Sequence, residues 1–447
     1  MKLLARICFI FILSVWWFGC ASPSTVEDPA ESYFIRFYGG DGNQTGVDFV
    51  VLPDKSMVLF GTTRSSAVAG NNPNSQWLVV RTDPKGMVLY ERHIGGPNDE
   101  EARDIELYGN NQLVLVGNTY KTATDRDVKI VTMMADATLT PIDSAVIPVL
   151  DSVSVVTKGD EDVTSVTPTS DGFIIAGSTT YAPKKPGGAV PGLADLRDGL
   201  NIRVTTNLTT YGNGWPTSQI YGKYSDDVTT KIIQVATGFY VFGYSDAKIT
   251  GQSAAPRNYN YWYYGLGQTG GTIGEANTGL PSDNEFATSF SFVSTQTGDG
   301  YVLGGISTNT TTGAADLNVC KLKKTLTFDP SVDVEFQKPL SIAISSNGSS
   351  PDINTSIIAS QLGGYYVLGN ENGFNNNQNW VLVKLNTNAS QAWSPIVFGG
   401  EGLDQCGSVL DLPDGRIGLI GTMTTGKPDV GETKMTLIKV NGDGQLK

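Results

Sequence analysis

The sequence predicts an all-β body, a seven-bladed β-propeller whose N-terminal strand completes the last blade. Three observations carry this expectation. A hydrophobic strand ending in glycine recurs seven times, strand and turn signals around each copy make four strands per repeat, and the last repeat lacks a fourth strand that the start of the body can supply. Composition agrees: 447 residues with 52 Gly, 21 Pro, 18 Tyr and 17 Phe but only 17% charged residues suit short strands joined by many tight turns.

Before the repeats, residues 1–19 begin with Lys2 and Arg6, continue through the apolar run Ile7 to Phe18, and end at Gly19. That run is too short for a stable membrane span, and its layout is that of a signal peptide. The ending Trp17-Phe18-Gly19-Cys20 resembles a bacterial lipobox, although Trp17 stands where Leu is usual. The resemblance implies that Cys20 is the first mature residue and carries a lipid; an ordinary secretory peptide is the alternative. Residues 20–31 are small, polar and Pro-containing, as expected of a flexible tether. No later segment reads as transmembrane, so the expected location is the cell envelope, lipid-anchored at the outer membrane, with the periplasmic or surface side left open.

The propeller is expected over residues 32–447. Its most regular element ends in Gly61, Gly117, Gly177, Gly243, Gly305, Gly369 and Gly421, as in Met57-Val58-Leu59-Phe60-Gly61 and Tyr365-Tyr366-Val367-Leu368-Gly369. Turns such as Pro53-Asp54-Lys55, Ser170-Asp171-Gly172 and Pro413-Asp414-Gly415 precede it, which makes the segment before each turn an antiparallel neighbour. Those neighbours, for example Val47 to Leu52 and Ala102 to Leu107, read as alternating or apolar. A third strand follows a variable polar stretch, as in Trp77-Leu78-Val79-Val80-Arg81 and Trp380-Val381-Leu382-Val383-Lys384, and a fourth follows an Asp, Asn or Gly turn.

The seventh repeat stops at Lys447, where its fourth strand should begin. Tyr33-Phe34-Ile35-Arg36-Phe37-Tyr38-Gly39-Gly40 matches the fourth-strand ending Ile396-Val397-Phe398-Gly399-Gly400. Pairing the two chain ends seals the ring and removes two exposed strand edges. A parallel β-helix or open solenoid is the runner-up, but neither accounts for the displaced strand. The whole pattern resembles the degenerate propeller repeats of bacterial secreted lipoproteins of unknown function, a resemblance that implies a fold without an activity.

Charge and residue inventory narrow the chemistry. A net charge of −13 supplies no basic footprint for nucleic acid. The single histidine, His93, excludes multi-histidine metal sites and leaves little for Ser-His-Asp catalysis. Cys320 and Cys406 fall in different kinds of strand of non-adjacent repeats and read as small buried hydrophobes. One constellation recurs: acids in the turn before each first strand, at Asp41, Asp99 with Glu100, Asp160 with Glu161 and Asp162, Asp226 with Asp227, Asp283 with Glu285, Asp352, and Glu401 with Asp404. Turn capping is one reading; a Ca²⁺ or cationic-ligand ring at the channel mouth is the other. The long third connections, Thr179 to Gly199 and Ser245 to Asn258, and the aromatic run Tyr259, Tyr261, Trp262, Tyr263 and Tyr264 are binding candidates, with packing between blades as the alternative for the aromatics.

These readings give a monomeric envelope lipoprotein without a cofactor, not an enzyme, that binds or scaffolds a protein or polysaccharide through one loop-rich face. The alternative is a carbohydrate-active enzyme, a glycosidase or lyase, using loop carboxylates.

Overall fold

A computed structural model describes residues 33–447 apart from 66–73, 110, 123–124, 150–158, 181–196, 210–214, 216–217, 223–225, 248, 252–257, 294–299, 344–354, 373–376, 401 and 427–430. The leader, Cys20, most of the connection 179–199 and half of the connection 245–258 therefore lie outside the described residues.

Seven four-stranded antiparallel sheets follow one another along the chain. Blade 1 runs from Gln44–Val51 to Val88–Ile94, blade 2 begins at Asp99–Tyr108, blade 3 at Glu161–Thr169, blade 4 at Asp227–Val235, blade 5 at Asp283–Val293, blade 6 at Ser356–Ala359 and blade 7 at Gln405–Asp411. The first strand of every blade touches the first strands of both neighbouring blades, so these seven line the axis and the ring is closed. Among the described residues the one helix is the turn Pro330–Asp333, and no helix is long and apolar enough to cross a membrane.

Closure follows the expected route. Phe34–Tyr38 pairs antiparallel with Glu432–Val440, in register from Phe34 opposite Lys439 to Tyr38 opposite Met435. Phe34 and Tyr38 point into the seam between blades 7 and 1, where they pack with Phe49, Met57, Leu59 and Leu78. The Tyr38 hydroxyl also donates to the Gly86 carbonyl at 2.9 Å. Side chains on the opposite face of this strand, Ile35 and Phe37, are exposed at the rim.

Between the other blades the core is built in the same way. Phe60, Trp77 and Val79 of blade 1 pack on Ala102, Ile105, Leu113 and Leu115 of blade 2, with Trp77 edge-on to Phe60 at 5.2 Å. Each such large side chain contributes roughly 1.5–3 kcal/mol by leaving water. Cys320 and Cys406 are buried in two of these interfaces and form no disulfide.

The recurring glycine has a steric cause. In blades 1–5 and 7 the first strand carries a β-bulge opposite it, as between Gly46 and Asp48 or Ala102 and Asp104. A Cβ on Gly61, Gly117, Gly177 or Gly243 would run into the carbonyl oxygen of Thr45, Glu101, Asp162 or Val228 respectively. The bulge therefore selects glycine on the second strand.

Candidate functional site

One side chain per blade faces the axis at this place, just past the bulge in the blades that have one. It stands opposite the residue before the recurring glycine: Asp48 opposite Phe60, Asp104 opposite Val116, Ser165 opposite Ala176, Lys231 opposite Phe242, Ser289 opposite Gly304 and Ser356 opposite Leu368. In blade 7 the same place falls to Ser408, between Cys406 and Val409. All seven line a central cavity of about 860 Å³, within the range of small-molecule sites. Serine is the rule at this position; Asp48, Asp104 and Lys231 depart from it.

Those departures meet. The Lys231 ammonium lies 3.0 Å from Glu106 Oε1 and 3.4 Å from Asp104 Oδ2, and donates to the Val166 carbonyl at 2.9 Å. Asp104 Oδ2 accepts from the Val166 N–H at 2.7 Å, which anchors it across to blade 3. Asp48 hydrogen-bonds to Asp104. Protein surrounds Asp48 although its carboxyl opens onto the cavity; that burial, and then the charge of Asp104, push its pKa well above the carboxylate range, with the Ser408 hydroxyl opposing. This contact favours the protonated form of Asp48. Glu106 is also raised, by burial first, with Lys231 opposing and the charge of Asp104 adding to the rise. The Glu106 side chain keeps 38% of its surface open to the lumen. A proton donor and an accessible carboxylate therefore share one cavity, the arrangement that acid–base chemistry needs.

Towards the channel end where the first strands begin, Arg103 binds Asp162 at 2.8 Å and Glu101 at 3.2 Å. Arg126 forks onto Asp160 and reaches Asp162, while Arg197 forks onto Asp226 with both contacts at 2.8 Å. Tyr120 donates to Glu101 at 2.5 Å.

Among the turn acids singled out in the sequence, Asp41, Asp99, Asp160, Asp226, Asp283 and Asp404 are all engaged locally or with a neighbouring strand, while Asp352 and Glu401 lie outside the described residues. Asp41 accepts from the Ser65 hydroxyl, and Asp99 from the Ser75 N–H and hydroxyl. Asp160 and Asp226 hold arginines, and Asp226 also accepts from the Tyr259 hydroxyl. Asp283 accepts from Ser307 and Asn309, and Asp404 from the N–H groups of Gly400 and Thr424. Among the described residues no group of three or more His, Cys, Asp or Glu side chains is arranged to hold a metal ion. Tyr261, Trp262, Tyr263 and Tyr264 are buried between blades, while Tyr259 stacks beside Phe286. His93 lies on the outer strand of blade 1 with Nε2 2.6 Å from Glu91.

The carboxylates that converge were not among the sequence candidates. Asp48, Asp104 and Glu106 sit in first-strand segments that read as merely alternating or apolar. Counting back from each strand-ending glycine across the hairpin would have placed Asp48, Asp104 and Lys231 in one column against serines.

No family model matches the chain, and no curated protein matches it by sequence. Among solved structures it is similar to the periplasmic gluconolactonase of Pseudomonas aeruginosa, at 10% identity and a TM-score of 0.47 over 81% of this chain and 96% of that one. It is similar to the GH93 alpha-L-arabinofuranosidase of Fusarium graminearum at 11% identity and a TM-score of 0.44, over 93% and 99% of the two chains. A third is the GH32 beta-fructofuranosidase of Bombyx mori, at 11% identity and a TM-score of 0.34, over 92% of each chain. These are likenesses of fold, and the proteins so named are enzymes. The expectation that this body is not an enzyme is corrected accordingly. It rested on missing motifs, and catalytic groups supplied one by one from separate blades leave no contiguous motif to find.

Proposed function

We propose that the protein is a carbohydrate-active enzyme of the cell envelope, held there by lipid on Cys20, that breaks glycosidic bonds in its central channel. The observation that supports this most directly is the contact between the Asp48 and Asp104 side chains, which favours a proton on Asp48, beside the accessible side chain of Glu106. Asp48 is the general acid, giving its proton to the leaving oxygen, and Glu106 is the proton acceptor. Asp104 positions the Asp48 proton, and Lys231 offsets the negative charge of Asp104 and Glu106 so that one proton suffices for the cluster. The carboxylates thus come from first strands and not from loops.

The test incubates the purified protein with a panel of polysaccharides and follows release of new chain ends. Asp48→Asn mimics the protonated acid in shape, so it should keep the fold while lowering kcat by about 10²–10⁴-fold, with Glu106→Gln in the same range. Turnover indifferent to both substitutions would sink the assignment, as would failure to cleave any polymer. The tether is tested separately: Cys20→Ser should move the protein out of the membrane fraction.

A further inference from the structure

The charge bookkeeping of the channel bears on what it admits. Four cations line the described cavity, Arg103, Arg126, Arg197 and Lys231, against six acids. Every one of the four already holds a carboxylate at 3.0 Å or less. A substrate carboxylate or sulfate entering here meets cations whose charge is already balanced, and must share or displace a protein carboxylate to bind one. No spare cation among the described lining residues meets an anionic sugar.

What the cavity does offer is hydroxyl groups. Along blades 5 to 7 the Thr288 and Thr355 hydroxyls meet at 2.6 Å, Ser289 joins Thr355 at 3.1 Å, and Ser356 accepts from the Val409 N–H at 3.1 Å. Next in the ring, the Ser408 hydroxyl is buried beside Asp48 and opposes the rise of its pKa. Hydroxyls both donate and accept, and so match the hydroxyls of an uncharged sugar without a net charge to balance.

We infer that the channel takes an uncharged glycan and hydrolyses it, and that it does not carry out the eliminative cleavage of a uronate. This rests on the carbohydrate-active reading above. Elimination abstracts the proton beside a uronate carboxylate, and the carbanion that forms needs that carboxylate neutralised by a free cation, which this lining lacks. Hydrolysis needs only the acid and the acceptor. Water gives a proton to Glu106 and its oxygen bonds to the anomeric carbon; the bond from that carbon to the leaving oxygen breaks with its electron pair, and Asp48 protonates the leaving oxygen. Exchange with solvent then returns Asp48 and Glu106 to their starting states.

The experiment measures binding apart from turnover. The full chain carrying Asp48→Asn is run by affinity electrophoresis through gels containing neutral glucan, mannan, galactan or arabinan, and through polygalacturonate, alginate or hyaluronan, each beside its carboxyl-reduced form. At least one neutral polymer should retard the protein, independently of salt, and carboxyl reduction of a retarding polymer should strengthen retention at least tenfold. Stronger retention by any anionic polymer than by its reduced form would overturn the inference, as would retention by none, or unsaturated uronate products from the wild-type chain. Retention of neutral polymers with no cleavage by the wild-type chain would overturn hydrolysis together with the enzymatic reading, and keep only the preference for uncharged glycans.

Discussion

Blades 1 to 4 and blades 5 to 7 present the same backbone to the axis and opposite chemistry. Each first strand of the two arcs delivers one side chain at the same place in the pairing. In the first arc those side chains are Asp48, Asp104, Ser165 and Lys231, tied into a network with Glu106. In the second they are Ser289, Ser356 and Ser408, neutral throughout. The ring therefore separates scaffold from chemistry: bulge and glycine fix where a side chain points, and one residue per blade decides what it does there.

If the first arc is an electrostatic unit and the second a set of separate hydroxyls, their substitutions should differ in size. Lys231→Met removes the cation shared by Asp104 and Glu106 and leaves two part-buried carboxylates facing each other. Loss of a buried pair's partner costs about 3–5 kcal/mol, and the midpoint of denaturant unfolding should fall to match. Ser356→Ala removes one hydrogen bond from the Val409 N–H and should cost about 1 kcal/mol. Equal effects from the two substitutions would mean that the charged network adds nothing to the first arc beyond what serine supplies.

What repeats and what departs from repetition also decided what could be read from the sequence. The glycine column, the turn residues and the orphan strand Phe34–Tyr38 repeat or complete a repeat, and they gave the blades and the closure. Asp41, Asp99, Asp160, Asp226, Asp283 and Asp404 drew attention for the same reason, because they recur, and the structure shows each joined to turn or neighbouring-strand donors. Asp48, Asp104 and Lys231 stand out only as exceptions in a column of serines. That column becomes visible once the bulge, which shifts register by a residue, is known. Glu106 lies outside the column and needed coordinates. The same holds for Tyr261 to Tyr264, whose aromatic density looks like a surface patch until the blade interface encloses it.

Where the arcs meet, between blades 4 and 5, a second buried acid gives a pH test. Glu285 is fully buried, with Oε1 accepting from the Leu280 N–H and the Gln337 amide. Its Oε2 and the Asn260 Oδ1 crowd the bare Cα of Gly279, and neither has a protein donor. The Asn260 amide is fixed by donating to the Ala247 and Asn258 carbonyls. Two facing acceptors are reconciled by a proton on Glu285, and burial pushes its pKa up to about 9, with the Leu280 N–H and the charge of Asp283 as smaller influences. Because the folded state keeps a proton that the unfolded state releases, this contribution is complete below the ordinary Glu pKa and is lost as pH rises towards 9. The slope is on the order of 1 kcal/mol per pH unit. Glu285→Gln supplies a permanent donor in the same shape, so wild type should melt progressively below the variant from pH 6 to 9. Parallel melting curves across that range would show that Glu285 is ionised throughout.

The smallest effect lies at the rim of the neutral arc, where blade 6 lacks an ion pair that other blades make. Near the end of the third strand a basic residue binds the acid of the first hairpin turn: Arg81 with Asp54 at 2.9 Å, Arg203 with Asp171 at 2.7 Å and Lys439 with Asp414 at 2.7 Å. Lys384 occupies this place in blade 6, opposite Tyr366 as Arg81 is opposite Val58. The acid's position, four residues before that strand partner as in blades 1 and 7, falls to Leu362, which is 76% exposed. Lys384 is left with no hydrogen-bond acceptor, 3.8 Å from the Tyr366 ring, and burial pulls its pKa down to about 8 against the opposing charge of Asp411. The folded state therefore binds this proton less well than the unfolded chain, a penalty present at neutral pH that fades as pH rises from 8 towards the ordinary lysine value. Leu362→Asp removes an exposed apolar side chain and restores the missing partner, so it should raise stability at pH 7 by roughly 0.5–1 kcal/mol, in the range of part-exposed pairs. The gain should shrink by pH 10, as folded wild type sheds this proton and so loses the penalty, and should vanish in Leu362→Asn. A Leu362→Asn gain equal to that of Leu362→Asp would assign the effect to removal of the exposed leucine instead of to Lys384.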